Sequence, residues 1–491
     1  IKNVEHLYRG KRKTEVGNGG DSVVVYEQWR SLHQQGEQGN TWQTSSILKS
    51  IRDYNMDDCE STQQLTVWLR KQQEANNIAF LGTTDIVEPD KTQEITERTL
   101  LRDRLLHRAE QERDTNPAQA RLTENLAWFL EFHRREAKPV FWRLFERLGS
   151  TDVDLLDDLD CLAVCQRTAR HGFKPGPRVR NLAYEYQFNT AQDFKGSHKQ
   201  YYILGLETED GKPTKVSVVQ DETHLEQGII TLQSKHEPPA VVTLVPDDFI
   251  NPNPIPQAIE QSVRDYEAGT LIAGNCAILD FLTRAKPRFK DQSFKLDQAS
   301  ASTHTLDHII QAIKNLDHSY LTIQGPPGAG KTYTGKHVIA KLVQAGAMIG
   351  IASNSHKAIN NLVLSTAQYC ATKNISADFA CTKDTDPALL QHQVAIVKNA
   401  DLLNHIQPGC VIGTTAWGFA REDLAEQLDY LFIDEAGQVA VANLIAMSRA
   451  AKNLVFMGDQ MQLGQPSQGT HPADSGLSIL DYLLRETPTI P

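Results

Sequence analysis

The sequence predicts an α/β protein whose C-terminal part, residues 257–491, is built on a parallel β-sheet. Two short apolar runs carry this prediction, and helix-forming segments follow both of them: Leu321–Ile323 and Met348–Ala352. A third run, Leu428–Ile433, is almost continuously apolar, as a strand buried on both faces of a parallel sheet should be. Strands that alternate with helices in this way indicate β-α-β units.

A phosphate-binding loop follows the first of these runs. The segment Gly325–Thr332 reads GPPGAGKT and fits the pattern G-x-x-x-x-G-K-[ST]. A strand before it and a helix after it would aim backbone N–H groups and the positive end of a helix dipole at a polyphosphate. In such loops the lysine, here Lys331, reaches the β- and γ-phosphates, and the threonine, Thr332, binds Mg²⁺. The rest of the loop would surround the bound phosphates: Gly325, Pro326, Pro327, Gly328, Ala329 and Gly330.

Two carboxylates follow the third apolar run, at Asp434 and Glu435. Open α/β sheets place their ligands at the carboxyl ends of the strands. There Asp434 would bind Mg²⁺ through water, and Glu435 would polarise the attacking water. An ordinary acidic strand end is the alternative, but the phosphate loop lies about a hundred residues upstream, a reasonable interval for one nucleotide-binding core. A further strand, ending at Gly458, carries glutamines that could contact the γ-phosphate or the attacking water.

Composition bounds the class of protein. A chain of 491 residues should hold about three domains. The net charge of −11 argues against a small, tight DNA-binding module, although a single local groove could still bind nucleic acid. No apolar run approaches the roughly 18 residues of a membrane span. The seven cysteines are scattered and predict buried apolar side chains in a reducing cytoplasm. The absent initiator Met suggests a fragment.

Four regions are predicted in total. Residues 1–75 form the end of one domain, residues 76–175 are mostly helical, and residues 176–256 form a small antiparallel barrel before the sheet domain. The barrel is predicted from closely spaced strand-like runs with a hairpin signal at Glu209–Lys212.

Within the helical region, Leu122–Leu148 is strongly amphipathic, and Pro139 should break or kink it. Its basic segment His133–Lys138 favours a solvated helix face.

Taken together, the C-terminal motifs resemble those of superfamily 1 helicases of the 1B subgroup over residues 320–490. QGPPGAGKT, SNSHKAINNL, VIGTT, DEAGQ and GDQMQL stand in that family's order. The resemblance implies a RecA-like domain that uses ATP and Mg²⁺, with Lys331, Thr332, Asp434 and Glu435 in the roles given above. It also implies that three further residues couple nucleotide to the nucleic-acid track: Gln438, Asp459 and Gln462. The second RecA-like domain of that family, with its arginine finger, is expected to be missing from this chain.

A second resemblance concerns the N-terminal region. Tyr54 and Asp58 are four residues apart and share one face of a predicted helix, and with the residues that follow they resemble the last motif of a DEDD-type, RNase H-like exonuclease. Asp58 would bind a catalytic metal there, and Tyr54 would position water. An ordinary amphipathic helix explains the pair equally well. The other acidic residues of such a site would lie upstream of Ile1.

The whole combination, with FHRREAKP at Phe132–Pro139, looks like bacterial RecB-like nuclease/helicase fusion proteins. It predicts a cytoplasmic, ATP-dependent helicase or translocase segment that binds single-stranded nucleic acid, with DNA as the expected polymer. No membrane partner is expected. A second RecA-like domain in cis is expected as a partner. An RNA helicase, or a nucleotide-dependent switch or scaffold without motor activity, are the alternatives.

Overall fold

A computed structural model describes residues 2–10, 19–78, 91–177, 179–272, 274–294, 296, 306–383, 386–462, 464 and 466–485. The chain divides into two units, residues 1–91 and 92–491. Among the helices described, none has both the length and the apolar character needed to cross a membrane.

The first unit is helical. A 3₁₀ turn at Lys2–Leu7 precedes two helices, α1 (Gly19–Gln34) and α2 (Ser46–Ala75). The second of these begins where the Ser45 hydroxyl accepts a hydrogen bond from the Leu48 N–H at 3.2 Å, an ordinary N-cap. Further along α2, the buried Ser61 hydroxyl contacts the Tyr8 hydroxyl at 2.9 Å and donates to Glu5.

Three helices open the second unit: α3 (Lys91–Glu112), α4 (Pro117–Phe129) and α5 (Phe132–Leu148). The break in the amphipathic stretch falls at Leu130 and Glu131, and α5 continues through Pro139. Of the predicted break or kink at Pro139, the break is therefore wrong. The buried Glu131 carboxylate fixes the turn between the two helices, because it pairs with Arg134 at 2.7 Å and with Arg102 at 3.5 Å. The Arg134 contact is local, three residues along the chain, whereas Arg102 lies on α3 and its contact leaves no local signal in the sequence.

A closed antiparallel barrel follows, with strand order β1-β2-β5-β4-β3-β6. Its strands are β1 (Leu162–Arg167), β2 (Leu182–Gln187), β3 (Gln200–Glu207), β4 (Pro213–Val218), β5 (Ile229–Ser234) and β6 (Val241–Pro246). The predicted barrel is thereby confirmed, and so is the hairpin turn, where Thr208 N–H donates to the Lys212 carbonyl at 2.7 Å. Strand β1 lies before residue 176, outside the predicted barrel region, and neither β1 nor β2 has a counterpart among the predicted strands.

Helices α6 (Ile255–Glu267), α7 (Ala277–Leu282) and α8 (Leu306–Lys314) lead to a seven-stranded sheet. All its recorded pairings are parallel, in the order β10-β9-β11-β8-β12-β13-β7. The strands are β7 (Tyr320–Gln324), β8 (Ile349–Ala352), β9 (Asp378–Thr382), β10 (Val394–Val397), β11 (Cys410–Gly413), β12 (Leu428–Ile433) and β13 (Ala451–Gly458). The helices are α9 (Lys331–Gln344), α10 (His356–Thr372), α11 (Pro387–Gln391), α12 (Ala416–Phe419), α13 (Val441–Ser448) and α14 (Ile479–Leu484).

Both faces of this sheet are buried, which explains its continuously apolar strands. Helices α6, α7, α13 and α14 share one apolar core with it, and α8, α9 and α10 share another. The α/β class predicted from the sequence, with its parallel sheet, is therefore confirmed. Because parallel strands all end at the same edge, the segments that follow them are brought together there.

Candidate nucleotide site

Three neighbouring strands bring the predicted site together. Strand β13 pairs with β7 on one side and with β12 on the other, with Gly458 opposite Gln324 and Phe456 opposite Ile433. The phosphate loop, the acidic pair and Asp459 therefore leave the sheet at adjacent carboxyl ends. A hydrogen bond of 3.1 Å from the Gly325 N–H to the Gly458 carbonyl ties the start of the loop to the end of β13.

The loop has the backbone shape that its glycines allow. Gly328 and Gly330 have φ angles of +80° and +87°, a region that side chains with a Cβ rarely adopt. Helix α9 starts directly after Gly330, and no side chain caps its N-terminus. The N–H groups of its first turn are the donors that an anion would use at such a helix end.

Lys331 lies folded over the same loop. Its ammonium group donates to the Gly325 carbonyl at 2.6 Å and to the Pro326 carbonyl at 2.9 Å. The first turns of α9 also sit close to β13, since a Cβ on Gly335 would be 3.0 Å from the Met457 sulfur. The glycine therefore allows the helix N-terminus and the strand end to approach each other.

The acidic pair has an unusual backbone conformation. Asp434 donates its N–H to the Ala352 carbonyl at 2.9 Å, and its carboxylate accepts the Glu435 N–H at 2.9 Å. Glu435 has a φ of +53°, in the left-handed region, where a residue other than glycine is uncommon. Strain of this kind tends to persist at functional sites.

Burial raises the pKa of Asp434 to about 6, and the nearby Lys331 charge acts in the opposite direction. A bound cation would favour the ionised carboxylate further. The donor set of Asp434 and the exposed Thr332 hydroxyl suits Mg²⁺, which takes few protein ligands and keeps water and phosphate oxygens. In the described part of the chain, no group of three or more His, Cys, Asp or Glu side chains could hold a metal ion.

The last strand end carries Asp459 and Gln462. Asp459 is buried, and one of its carboxylate oxygens accepts the Met461 N–H at 2.9 Å, while the other has no hydrogen-bond partner among the described residues. Gln462 is exposed in the turn that follows. The remaining predicted residue, Gln438, lies beside the acidic pair, and its carbonyl accepts a hydrogen bond from the Asn354 side chain.

Two contacts at this edge were not predicted from the sequence. Asn354 connects the SNSHK segment to the DEAGQ turn, and Gln324 at the end of β7 donates to the Gln460 side chain. Both residues were visible as polar residues at strand ends. Their partners depend on the strand order β8-β12-β13-β7, which the sequence motifs alone do not specify.

The predicted exonuclease residues lie in the first unit. Tyr54 and Asp58 are both on α2, where Tyr54 is buried and Asp58 is partly exposed. The neighbouring Asp57 forms an ion pair with Arg9. The role of Asp58 as a metal ligand stays a prediction.

Comparison with known proteins separates the two units in the same way. Residues 306–475 match the family described as an AAA domain. Residues 1–70 match the RNase_H superfamily.

The curated relatives are long proteins that match over a limited segment. One is the DNA replication ATP-dependent helicase/nuclease JHS1 of Arabidopsis thaliana, 29% identical over 162 residues, which are 33% of this chain and 12% of the relative. Another is the DNA replication ATP-dependent helicase/nuclease DNA2 of Gallus gallus, 26% identical over 179 residues, or 34% of this chain and 18% of the relative. The matched segment thus spans less than a fifth of either relative.

Among solved structures, the chain is similar to the Arterivirus nonstructural protein 10 helicase in complex with DNA. The identity is 12% and the TM-score is 0.24, over 55% of this chain and 44% of that one.

Proposed function

We propose that this chain is the ATP-binding segment of a DNA helicase or translocase that is fused to a nuclease. One observation carries the proposal: the segments that bear Lys331, Asp434 and Asp459 follow three adjacent parallel strands, β7, β12 and β13. The match to an AAA domain and the DNA replication helicase/nuclease relatives support it. They do not distinguish the superfamily 1B subgroup or the bacterial RecB-like fusions, which remain part of the proposal, as does a cytoplasmic location.

In this proposal each residue has one task. The loop Gly325–Thr332 holds the phosphates through its N–H groups, and Lys331 moves from its carbonyl partners to the β- and γ-phosphates. Mg²⁺, held by Thr332 and through water by Asp434, supplies charge neutralisation on the phosphates when bound. Glu435 orients the attacking water and takes its proton. Gln462, together with Gln438 and Asp459, couples the presence or absence of the γ-phosphate to the binding of nucleic acid.

The charge of the transition state needs a further cation. In related phosphoryl-transfer sites an arginine from a neighbouring domain contributes roughly 10³–10⁵ in rate. The described residues contain one parallel sheet, and we propose that a second RecA-like domain supplies this arginine. Two such domains closing and opening around ATP would move the protein along a single strand.

The N-terminal unit has its own proposed role. The match of residues 1–70 to the RNase_H superfamily supports an RNase H-like domain, with Asp58 as a metal ligand and Tyr54 positioning water. Titration with Mn²⁺ of a longer form that includes the acidic residues expected upstream of Ile1 tests this assignment. Equal Mn²⁺ binding by wild type and Asp58→Ala would contradict it.

Coupling between nucleotide and nucleic acid separates a motor from a switch. In a longer form that includes both RecA-like domains, we expect single-stranded DNA to change the affinity for a non-hydrolysable ATP analogue, and the bound analogue to change the affinity for DNA by the same factor. Fluorescence titration with matched DNA and RNA strands measures both. Stronger coupling with RNA would favour an RNA helicase, and no coupling with either strand would favour a nucleotide-dependent switch.

A further inference from the structure

The loop that follows Gln462 is held by one carboxylate on helix α5. One Glu136 carboxylate oxygen accepts hydrogen bonds from the Ser467 hydroxyl at 2.8 Å, the Gly469 N–H at 3.0 Å and the His471 ring at 2.5 Å. The other oxygen accepts the Gln468 N–H at 3.1 Å. Four donors from five consecutive residues thus converge on a single side chain.

This arrangement contradicts part of the solvated helix face predicted for His133–Lys138: Arg134 and Lys138 are exposed, but Glu136 is bonded to the loop. Glu136 is partly buried, and its pKa is lowered although burial alone would raise it, because His471 and the loop donors stabilise the ionised form. Burial lowers the pKa of His133 to about 4, so this ring is neutral near pH 7. The charged sequence pattern predicts an exposed helix face. The loop residues that bond to Glu136 lie more than three hundred positions further along the chain, so the pattern gives no sign of them.

The loop and the helix also fit each other sterically. A Cβ on Gly469 would lie 2.6 Å from the Arg135 carbonyl oxygen, so this position accepts only glycine without a shift of backbone. That carbonyl has no helical N–H partner four residues later, because Pro139 stands there. The His471 ring stacks on Phe132 at 4.6 Å, and the Arg135 guanidinium donates to the Thr470 carbonyl at 3.2 Å.

A second anchor holds the end of the same loop. The buried Asp474 carboxylate pairs with Arg121 at 3.3 Å and with Arg284 at 3.4 Å, and it also contacts Arg485. Its N–H donates to the Asn125 side chain at 3.2 Å. The chain is therefore held at Asp459, directly after β13, and again from Ser467 to Asp474. The exposed Gln462 lies in sequence between these two held positions.

The opposite end of α5 is anchored beside the barrel. The buried Arg147 guanidinium pairs with Asp158 at 2.7 Å and with Asp160 at 3.1 Å, just before β1. It also pairs with Asp248 at 3.2 Å, just after β6. Glu136 and Arg147 are separated by about 16 Å along the helix, at about 1.5 Å per residue. One helix thus contacts both the loop beside the nucleotide site and the two strands at which the chain enters and leaves the barrel.

We propose that Glu136 is a positioning residue for ATP hydrolysis, which holds the segment carrying Gln462 and makes α5 the connection between the nucleotide site and the barrel. The inference rests on the proposed ATPase function. Glu136 has no role in binding nucleotide in this account. Its loss should therefore lower kcat and leave the KM for ATP unchanged, since the affected residue acts on the hydrolytic step.

The test compares Glu136→Ala, Glu136→Gln and, as a matched control on the same helix, Glu146→Ala at an exposed glutamate. Amide hydrogen exchange reports the loop directly, because Gln468 and Gly469 donate their N–H groups to Glu136. We expect exchange at these two amides to be at least about tenfold faster in Glu136→Ala, and less affected in Glu136→Gln, which keeps one acceptor oxygen. Glu146→Ala should match wild type.

Steady-state kinetics give the second readout. The same variants are made in the longer form that includes a second RecA-like domain. We expect kcat to fall about tenfold in Glu136→Ala at unchanged KM, with partial recovery in Glu136→Gln. Three results for Glu136→Ala would each overturn the positioning role. They are unchanged exchange at the Gln468 and Gly469 amides, an unchanged kcat, and a loss of kcat/KM that comes entirely from a higher KM. If wild type neither binds nor hydrolyses ATP, the proposed function fails and the positioning role fails with it. Normal hydrolysis in both wild type and Glu136→Ala removes the positioning role alone.

Discussion

Replacement of Lys331 by alanine should reduce ATP hydrolysis by at least about 10²-fold, the cost typical of removing one preorganised donor from a developing negative charge. The Lys331 ammonium lies over the phosphate loop, bonded to the Gly325 and Pro326 carbonyls, within reach of phosphates bound to that loop. Lys331 is the only residue of the loop with a charged side chain, and no other loop residue can replace it.

Steady-state phosphate release measures this effect. The control is Lys341→Ala, which removes an exposed lysine from the same helix, α9, and should behave as wild type. Thermal unfolding of both variants shows whether the fold is retained. Hydrolysis by Lys331→Ala at more than about a tenth of the wild-type rate would place the chemistry elsewhere.

Replacement of Glu435 by glutamine should give a protein that binds ATP but barely hydrolyses it. General-base catalysis contributes typically about 10²–10⁴ in rate, and the amide cannot take the proton of the attacking water. Glutamine keeps the size of the side chain and removes one charge, and Asp434 stays to bind Mg²⁺ through water. Nucleotide affinity is therefore expected to remain near that of wild type while kcat falls.

Glu426 offers a matched control for this change. It is an exposed glutamate with a φ of +60°, and it lies just before the same strand, β12, that Glu435 follows with a φ of +53°. Glu426→Gln should retain full activity, which separates the catalytic role from any effect of the strained backbone. An unchanged kcat in Glu435→Gln, measured by single-turnover hydrolysis, would remove Glu435 from the base role.

The parts of the site that the sequence predicted correctly are those encoded by short segments. The phosphate loop specifies its own backbone through Gly328 and Gly330, and the apolar run before Asp434 specifies a buried strand. Order along the chain then places each motif after a parallel strand, so the shared edge of the sheet follows from the β-α-β pattern.

The parts that it did not predict depend on contacts between distant segments. Strand β1 has a register irregularity between Leu162 and Cys165, so buried and exposed side chains do not alternate regularly along the Leu162–Arg167 run. Local propensity alone predicts a helix break at Pro139. In the fold its missing N–H leaves the Arg135 carbonyl beside Gly469, in a contact between α5 and a loop of the sheet domain.

The same limit applies to Glu136 and Asp474. Each is one acidic residue in a chain with 61 of them, and nothing in its neighbourhood distinguishes it from a solvated carboxylate. Their importance appears only when the donors are seen: four from the loop onto Glu136, and three arginines around Asp474.

Whether this chain is one part of a nucleic-acid motor is tested most directly by steady-state ATP hydrolysis with and without single-stranded DNA. The assay compares the 491-residue chain with a longer form that includes a second RecA-like domain, and Lys331→Ala serves as the control in both. We expect the 491-residue chain to bind ATP–Mg²⁺ and turn it over slowly, and the longer form to be stimulated by DNA and inactivated by Lys331→Ala. Nucleotide binding without any response to DNA in the longer form would contradict the motor, as would robust hydrolysis that persists in Lys331→Ala.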